Sequence, residues 1–138
     1  MREIKFRGQT VYLNPITGKS DWVYGDLVHY PEHLGKHKIV NGEAAVEVLA
    51  STIGQFTGWH DKDGKEIYDG DILDLYIPKN VSGKPEHRKR KVIFDEDNGC
   101  FSIVNKSNLC IFDAVSSSIE LIYTVIGNIY DSPELMED

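Results

Sequence analysis

The stretch DKDGKEIYDGDIL crowds Asp61, Asp63, Glu66, Asp69 and Asp71 into thirteen residues, with two glycines among them. Carboxylates at this density have three chemical uses. They can coordinate a hard cation, share a proton as an acid–base pair, or accept backbone N–H groups at a turn. A calcium loop of the helix–loop–helix kind needs carboxylates at positions 1, 3 and 5, glycine at 6 and glutamate at 12. Counted from Asp61, those last three places hold Lys65, Glu66 and Ile72, so the calcium reading fails. Asp63-Gly64 instead suits a two-residue hairpin turn, because such turns need positive φ and Asp-Gly supplies it at little steric cost. Gly70-Asp71 then bends the chain into ILDLYI. Asp26 and Asp71 each follow a glycine in a Gly-Asp word, and a symmetric acid pair is conceivable chemistry for them. The simpler reading makes both turn residues whose carboxylates bond neighbouring N–H groups.

The other reactive side chains fit their chemistries less well. LNPITGKS ends like a phosphate-binding loop, yet Leu13 stands five places before Gly18, where that loop requires glycine. His33 and His37 have the spacing that places two metal ligands on one helical face, but Pro31 and Gly35 argue for a loop carrying solvated histidines. Cys100 and Cys110 flank a predicted hairpin that turns at Asn105–Asn108. If Val104 faces Leu109, Cys100 faces Asp113 rather than Cys110, so a disulfide is disfavoured. Two cysteines without a CxxC or a histidine pair do not make a zinc site. No GxSxG elbow occurs. The residues therefore predict no catalytic group, no metal and no cofactor.

One charged segment stands apart. KPEHRKRK gathers Lys84, Arg88, Lys89, Arg90 and Lys91 against Glu86 in a chain of net charge −7. It reads as a basic hairpin loop, either solvated or docked on the acidic surface of a sister subunit, with phosphate backbones as the rival partner. The overall charge opposes general polyanion binding, because that affinity comes from lysines and arginines neutralising phosphates.

The elements that must position these groups read mainly as strands. Short Val, Ile, Tyr and Phe runs alternate with Gly, Asn and Asp clusters: TVYLN, DWVYGDLVHY, HKIVN, AVEVLASTIGQFTGW, DILDLYIP, RKVIFD, CFSIVN, LCIFDAV and IELIYTVIGNIY. AAVEVLAS could also read as helix, but its β-branched residues favour strand. SPELMED, with Pro133 after Ser132, predicts one or two turns of helix. VYGDLVHY and YDGDILDLY echo each other, as do TIGQFTG and VIGNIYD, which raises the possibility of an internal repeat. The 138 residues and 41% hydrophobic content suit one compact domain or two small subdomains. The start MREIKFRG lacks an apolar run behind its charges, and no run of about 18 apolar residues follows, so a soluble cytoplasmic protein is expected, with no membrane contact.

WVYGDLVHY, IGQFTGWHDKDGKEIYDGDIL and VIGNIYDSPEL, with the start REIKFRG, closely resemble the YopX family of bacteriophage and prophage proteins, in blocks spread over nearly the whole chain. The resemblance implies a β-rich fold built on small SH3-like barrels with additional strands, and a tendency to self-assemble. On that basis residues 1–60 form an N-terminal β subdomain and 61–138 an SH3-like one with a short C-terminal helix, unless the two are intertwined. The segment from Pro78 to Lys91 has no counterpart in the resemblance. The expected function is that of a non-enzymatic phage accessory protein acting by self-association or by binding a host or phage protein. A nucleic-acid-associated factor using residues 84–91 is the alternative, and an enzyme whose site assembles only in three dimensions is the third.

Overall fold

The computed structural model describes residues 2–31, 35–109 and 122–137. The protein is mainly β, with half of the described residues in strands. In chain order the described strands are β1 Phe6–Gln9, β2 Trp22–His29, β3 His37–Asn41, β4 Ala44–Glu47, β5 Gly54–His60, β6 Glu66–Tyr68, β7 Asp71–Ile77, β8 Glu86–Asp95, β9 Cys100–Val104 and β10 Tyr123–Asn128. Two short 3-10 turns lie at Ala50–Thr52 and Pro133–Met136. No described helix is long and apolar enough to cross a membrane. The chain divides into two compact units, Met1–Phe56 and Thr57–Asp138, so the division falls inside β5.

In the first unit the strands lie in the order β4-β3-β2-β1-β5, all antiparallel neighbours. β3 and β4 join through Gly42-Glu43, a two-residue connection in which Gly42 takes φ 62°. AAVE is strand and not helix because Val46 packs opposite the buried Ile39. β1 was not among the strand words in the sequence, for a physical reason. Arg7 is buried on this central strand, with its guanidinium 4.7 Å from the ring centre of Trp22. TVYLN, by contrast, contributes only an isolated bridge from Thr10 to Val48 and then leaves the sheet.

In the second unit a four-stranded antiparallel sheet has the order β10-β7-β8-β9. Ile67, Leu73, Leu75, Val92 and Tyr123 form its core, with Trp59, Ile77, Ile103 and Val125 packed around them. Successive side chains of a strand point to opposite faces, so Leu73 and Leu75 share the face to which β8 brings Val92. The strand orders are open. Among the described residues no pairing closes either unit into a barrel, so the mainly β class stands without the SH3-like detail. β8 corrects one expectation, because Glu86–Lys91 is strand, paired residue by residue with Ile77–Ile72, and not loop. A run of like charge suppresses a strand reading, yet β7 pairs with it at every residue from Ile72 to Ile77, all of them apolar or aromatic except Asp74. LCIFDAV lies almost wholly outside the described residues.

The Asp63-Gly64 turn is present in a slightly longer form. Asp61 N–H donates to the Lys65 carbonyl at 2.8 Å and Gly64 N–H to the Asp61 carbonyl at 3.0 Å, which makes Lys62, Asp63 and Gly64 a three-residue loop with Gly64 at φ 81°. A Cβ at Gly64 would meet nothing within 4 Å, so the cost of Gly64→Ala is conformational alone. We expect about 1–2 kcal/mol of destabilisation, read as a lower urea midpoint with an unchanged m-value.

Candidate functional site

The acidic stretch belongs to the architecture. Asp61 is buried, at 3% exposure. Its Oδ1 accepts the N–H groups of Asp63 and Lys65, both at 2.9 Å, and its Oδ2 accepts the N–H of Val125 at 2.9 Å. Lys62 N–H adds a bond to the Tyr123 carbonyl at 3.0 Å. The loop is thereby fastened to β10, the strand at the end of the sheet order, beside the irregularity between Val125 and Gly127. Covering an end strand with a loop satisfies its backbone and removes a template for stray pairing. Burial alone would push the Asp61 carboxyl up, but the three backbone donors from Val125, Lys65 and Asp63, with the charge of Lys65, hold it below the usual range.

Asp71 is equally committed. At 1% exposure its Oδ2 accepts the N–H of Tyr68 at 2.7 Å, which ties the end of β6 to the start of β7. Gly70 before it has φ 93°, and a Cβ there would sit 3.0 Å from the ring of Tyr130. Asp26 departs from the turn reading, since it lies exposed in the middle of β2 opposite Val40. The two Gly-Asp words thus occupy unlike places, and Asp26 and Asp71 are not equivalent groups. The metal candidates fare similarly. His37 lies on β3 with its ring 4.9 Å from that of His29, and His33 falls outside the described residues. No group of three or more ligating side chains occurs among the described residues. Cys100 is an exposed free thiol on β9, opposite Asp95, while Cys110 and Asp113 lie outside the described residues.

Strand geometry divides the basic set. Lys84 precedes β8; Arg88 and Arg90 point to one face of the sheet, Lys89 and Lys91 to the other. Arg88 forms a two-pronged pair with Glu86, Nε to Oε1 at 2.9 Å and an Nη to Oε2 at 3.2 Å, and this holds the Glu86 carboxyl below its ordinary range. Arg90 is buried and donates to the Lys89 carbonyl at 2.9 Å. His87 meets Asp74 at 2.7 Å through Nδ1. Where β8 runs past the end of β9, a cleft of about 410 Å³ opens between β8, the Asn105–Ser107 turn and the C-terminal 3-10 turn.

A second feature has no counterpart among the sequence-derived candidates, because TVYLN reads as a strand whose apolar residues would be buried. Residues 11–20 form a loop presenting Val11, Tyr12, Leu13 and Ile16, the last 92% exposed. It is held firmly. Asn14 receives the N–H groups of Ile16 on Oδ1 and Gly18 on its carbonyl, both at 2.8 Å, and its amide nitrogen donates to Asp21 at 3.2 Å. The fully buried Thr10 accepts the Asp21 N–H and donates to the Tyr12 carbonyl. Residues 1–56 contain six lysines and arginines against six acids, so the whole net charge of −7 falls on residues 57–138, nine against sixteen. The same first unit carries Ile4, Leu49, Tyr24, Val28 and Tyr30 as further exposed apolar groups.

Residues 10–137 match the family model described as YopX protein. The crystal structure of protein EF1440 from Enterococcus faecalis is similar over 99% of this chain and 100% of that one, at 24% identity and a TM-score of 0.51, a likeness of fold alone. No curated protein matches the chain.

Proposed function

The chain belongs to the YopX family, and from that premise we propose that it is a non-enzymatic accessory protein that works by self-association through its first unit. The observation that carries this reading is the hydrogen-bonded loop with Val11, Tyr12, Leu13 and Ile16 turned to solvent, in which Lys19 is the one charged side chain. Large apolar side chains grouped on an exposed surface mark interaction sites, and a loop already fixed by hydrogen bonds loses little entropy on docking. A second copy is the favoured occupant for reasons of charge. Two first units meet with no net repulsion, whereas two second units bring −7 against −7. The non-enzymatic part rests on Asp61 and Asp71, whose carboxylates already serve backbone donors.

The test is a variant in which Tyr12, Leu13 and Ile16 all become Ser. All three are exposed, so the fold should survive, with melting within a few degrees of the wild type. Light scattering after gel filtration should give a multiple of the subunit mass for the wild type and one subunit for the variant. Equal masses for the two proteins would refute the assignment to this loop.

A further inference from the structure

We propose that the cleft beside β8 binds a phosphate-bearing ligand of mononucleotide size, with the phosphate held by Lys89 and Lys106 and a flat ring lying against Leu135 and Met136. This site belongs to the second unit and does not depend on the self-association reading.

Four observations converge on it. The volume of about 410 Å³ falls in the range of about 300–1,000 Å³ common to small-ligand pockets. Its lining is chemically divided: β8 and the Asn105–Ser107 turn bring His87, Lys89 and Lys106, while the C-terminal turn brings Leu135, Met136 and Glu137. The cations of β8 are also divided by role. Arg88 is committed to Glu86, and Arg90 is buried against the backbone of Lys89, which leaves the exposed Lys89 ammonium with no ion partner among the described residues. Finally, the positive lining lies in the unit that carries the whole net negative charge, so a local attraction for anions stands out against a repulsive surround.

The ligand class follows from that division. An anionic group suits the ammonium side. Leu135 and Met136 suit a flat apolar ring, thioethers and aromatic faces being favourable contacts. Glu137 on the same wall accepts hydrogen bonds only, so it suits a ring that carries an amino donor and disfavours a second anionic group. A phosphorylated aminopurine or aminopyrimidine has all three features, whether it arrives as a free nucleotide or as a residue of a single strand. The net charge makes broad wrapping of a polyanion unfavourable, which limits the contact to the cleft.

The full chain is titrated by calorimetry with adenosine monophosphate, with inorganic phosphate and with a short single-stranded oligodeoxyadenylate. At least one adenine-bearing probe should bind saturably, and inorganic phosphate should bind roughly tenfold more weakly than that probe. Lys89→Ala combined with Lys106→Ala should weaken binding by roughly tenfold or more without changing the melting temperature, since both side chains lie at the surface of the cleft. Met136→Ser should weaken the adenine probe and leave phosphate unchanged. If the oligonucleotide is the probe that binds, log K against log salt should have a slope of about −1.4 for two lysine contacts. Binding of the free nucleotide assigns the site to small ligands; binding of the oligonucleotide alone assigns it to a strand. No saturable binding by either adenine probe overturns the proposal. So does affinity unchanged in the double-lysine variant, or phosphate bound as tightly as the adenine probes.

Discussion

Asp61→Ala is expected to remove about 3–5 kcal/mol of stability, because three backbone donors lose one buried acceptor at once and hydrogen bonds to a charged group are each worth about 1.5–3 kcal/mol. The Val125 N–H matters most, since it belongs to β10 and lies 64 residues from the carboxylate that satisfies it. Asp61→Asn keeps one carbonyl acceptor and should fall between the wild type and the alanine variant. The pH dependence follows from the lowered pKa of Asp61. A carboxyl whose folded pKa lies below its unfolded value contributes stability that is complete above the unfolded value and is lost as pH falls through the folded one. The melting temperatures of the wild type and Asp61→Asn should therefore differ by a constant amount from neutral pH down to the ordinary carboxylate range, and converge below it. A difference that stays constant into strong acid would show that the Asp61 charge does not stabilise the fold.

Gly25→Ala should be comparably damaging for an unrelated reason. Gly25 has φ 156°, and a Cβ there would lie 2.1 Å from the carbonyl oxygen of Val40, a backbone atom of the paired strand β3. Either the β2–β3 ladder moves or the chain unfolds locally. Overpacking costs about 1–3 kcal/mol and the backbone conformation a further 1–3 or so. We expect a fall in melting temperature of roughly 10 °C or more. Asp26→Ala is the matched control: the residue is exposed and its effect should stay within about 0.5 kcal/mol. Equal effects of the two substitutions would contradict the account of this ladder.

The two predictions show where sequence patterns suffice and where they stop. β2, β3, β7 and β9 were legible because alternating β-branched and aromatic residues betray a half-buried ladder. The turn at Asp63-Gly64 was legible because φ > 0 restricts the choice of residue. β1 was not, since its buried Arg7 relies on Trp22 from another strand, and of β8 only the part in RKVIFD was, since the charges of Glu86–Lys89 concealed a ladder that only β7 reveals. The Gly-Asp words looked alike, but Gly25 is there for a close backbone approach and Asp71 for a buried bond to Tyr68. Of the basic set, the sequence located the segment and not its division between two faces. The exposed loop of residues 11–20 was not legible because exposed apolar residues look the same in sequence as core ones.

Self-association through an apolar surface and self-association through opposite charge blocks respond differently to salt, because screening shortens to a few ångströms as ionic strength rises toward about 1 M while apolar contacts are not weakened. The most direct test is sedimentation equilibrium of the wild-type chain at tens of micromolar, in about 50 mM and about 500 mM sodium chloride. An assembly larger than one subunit is expected, with an association constant that holds or rises between the two conditions. A strict monomer, or an assembly that dissociates as salt is added, would contradict it.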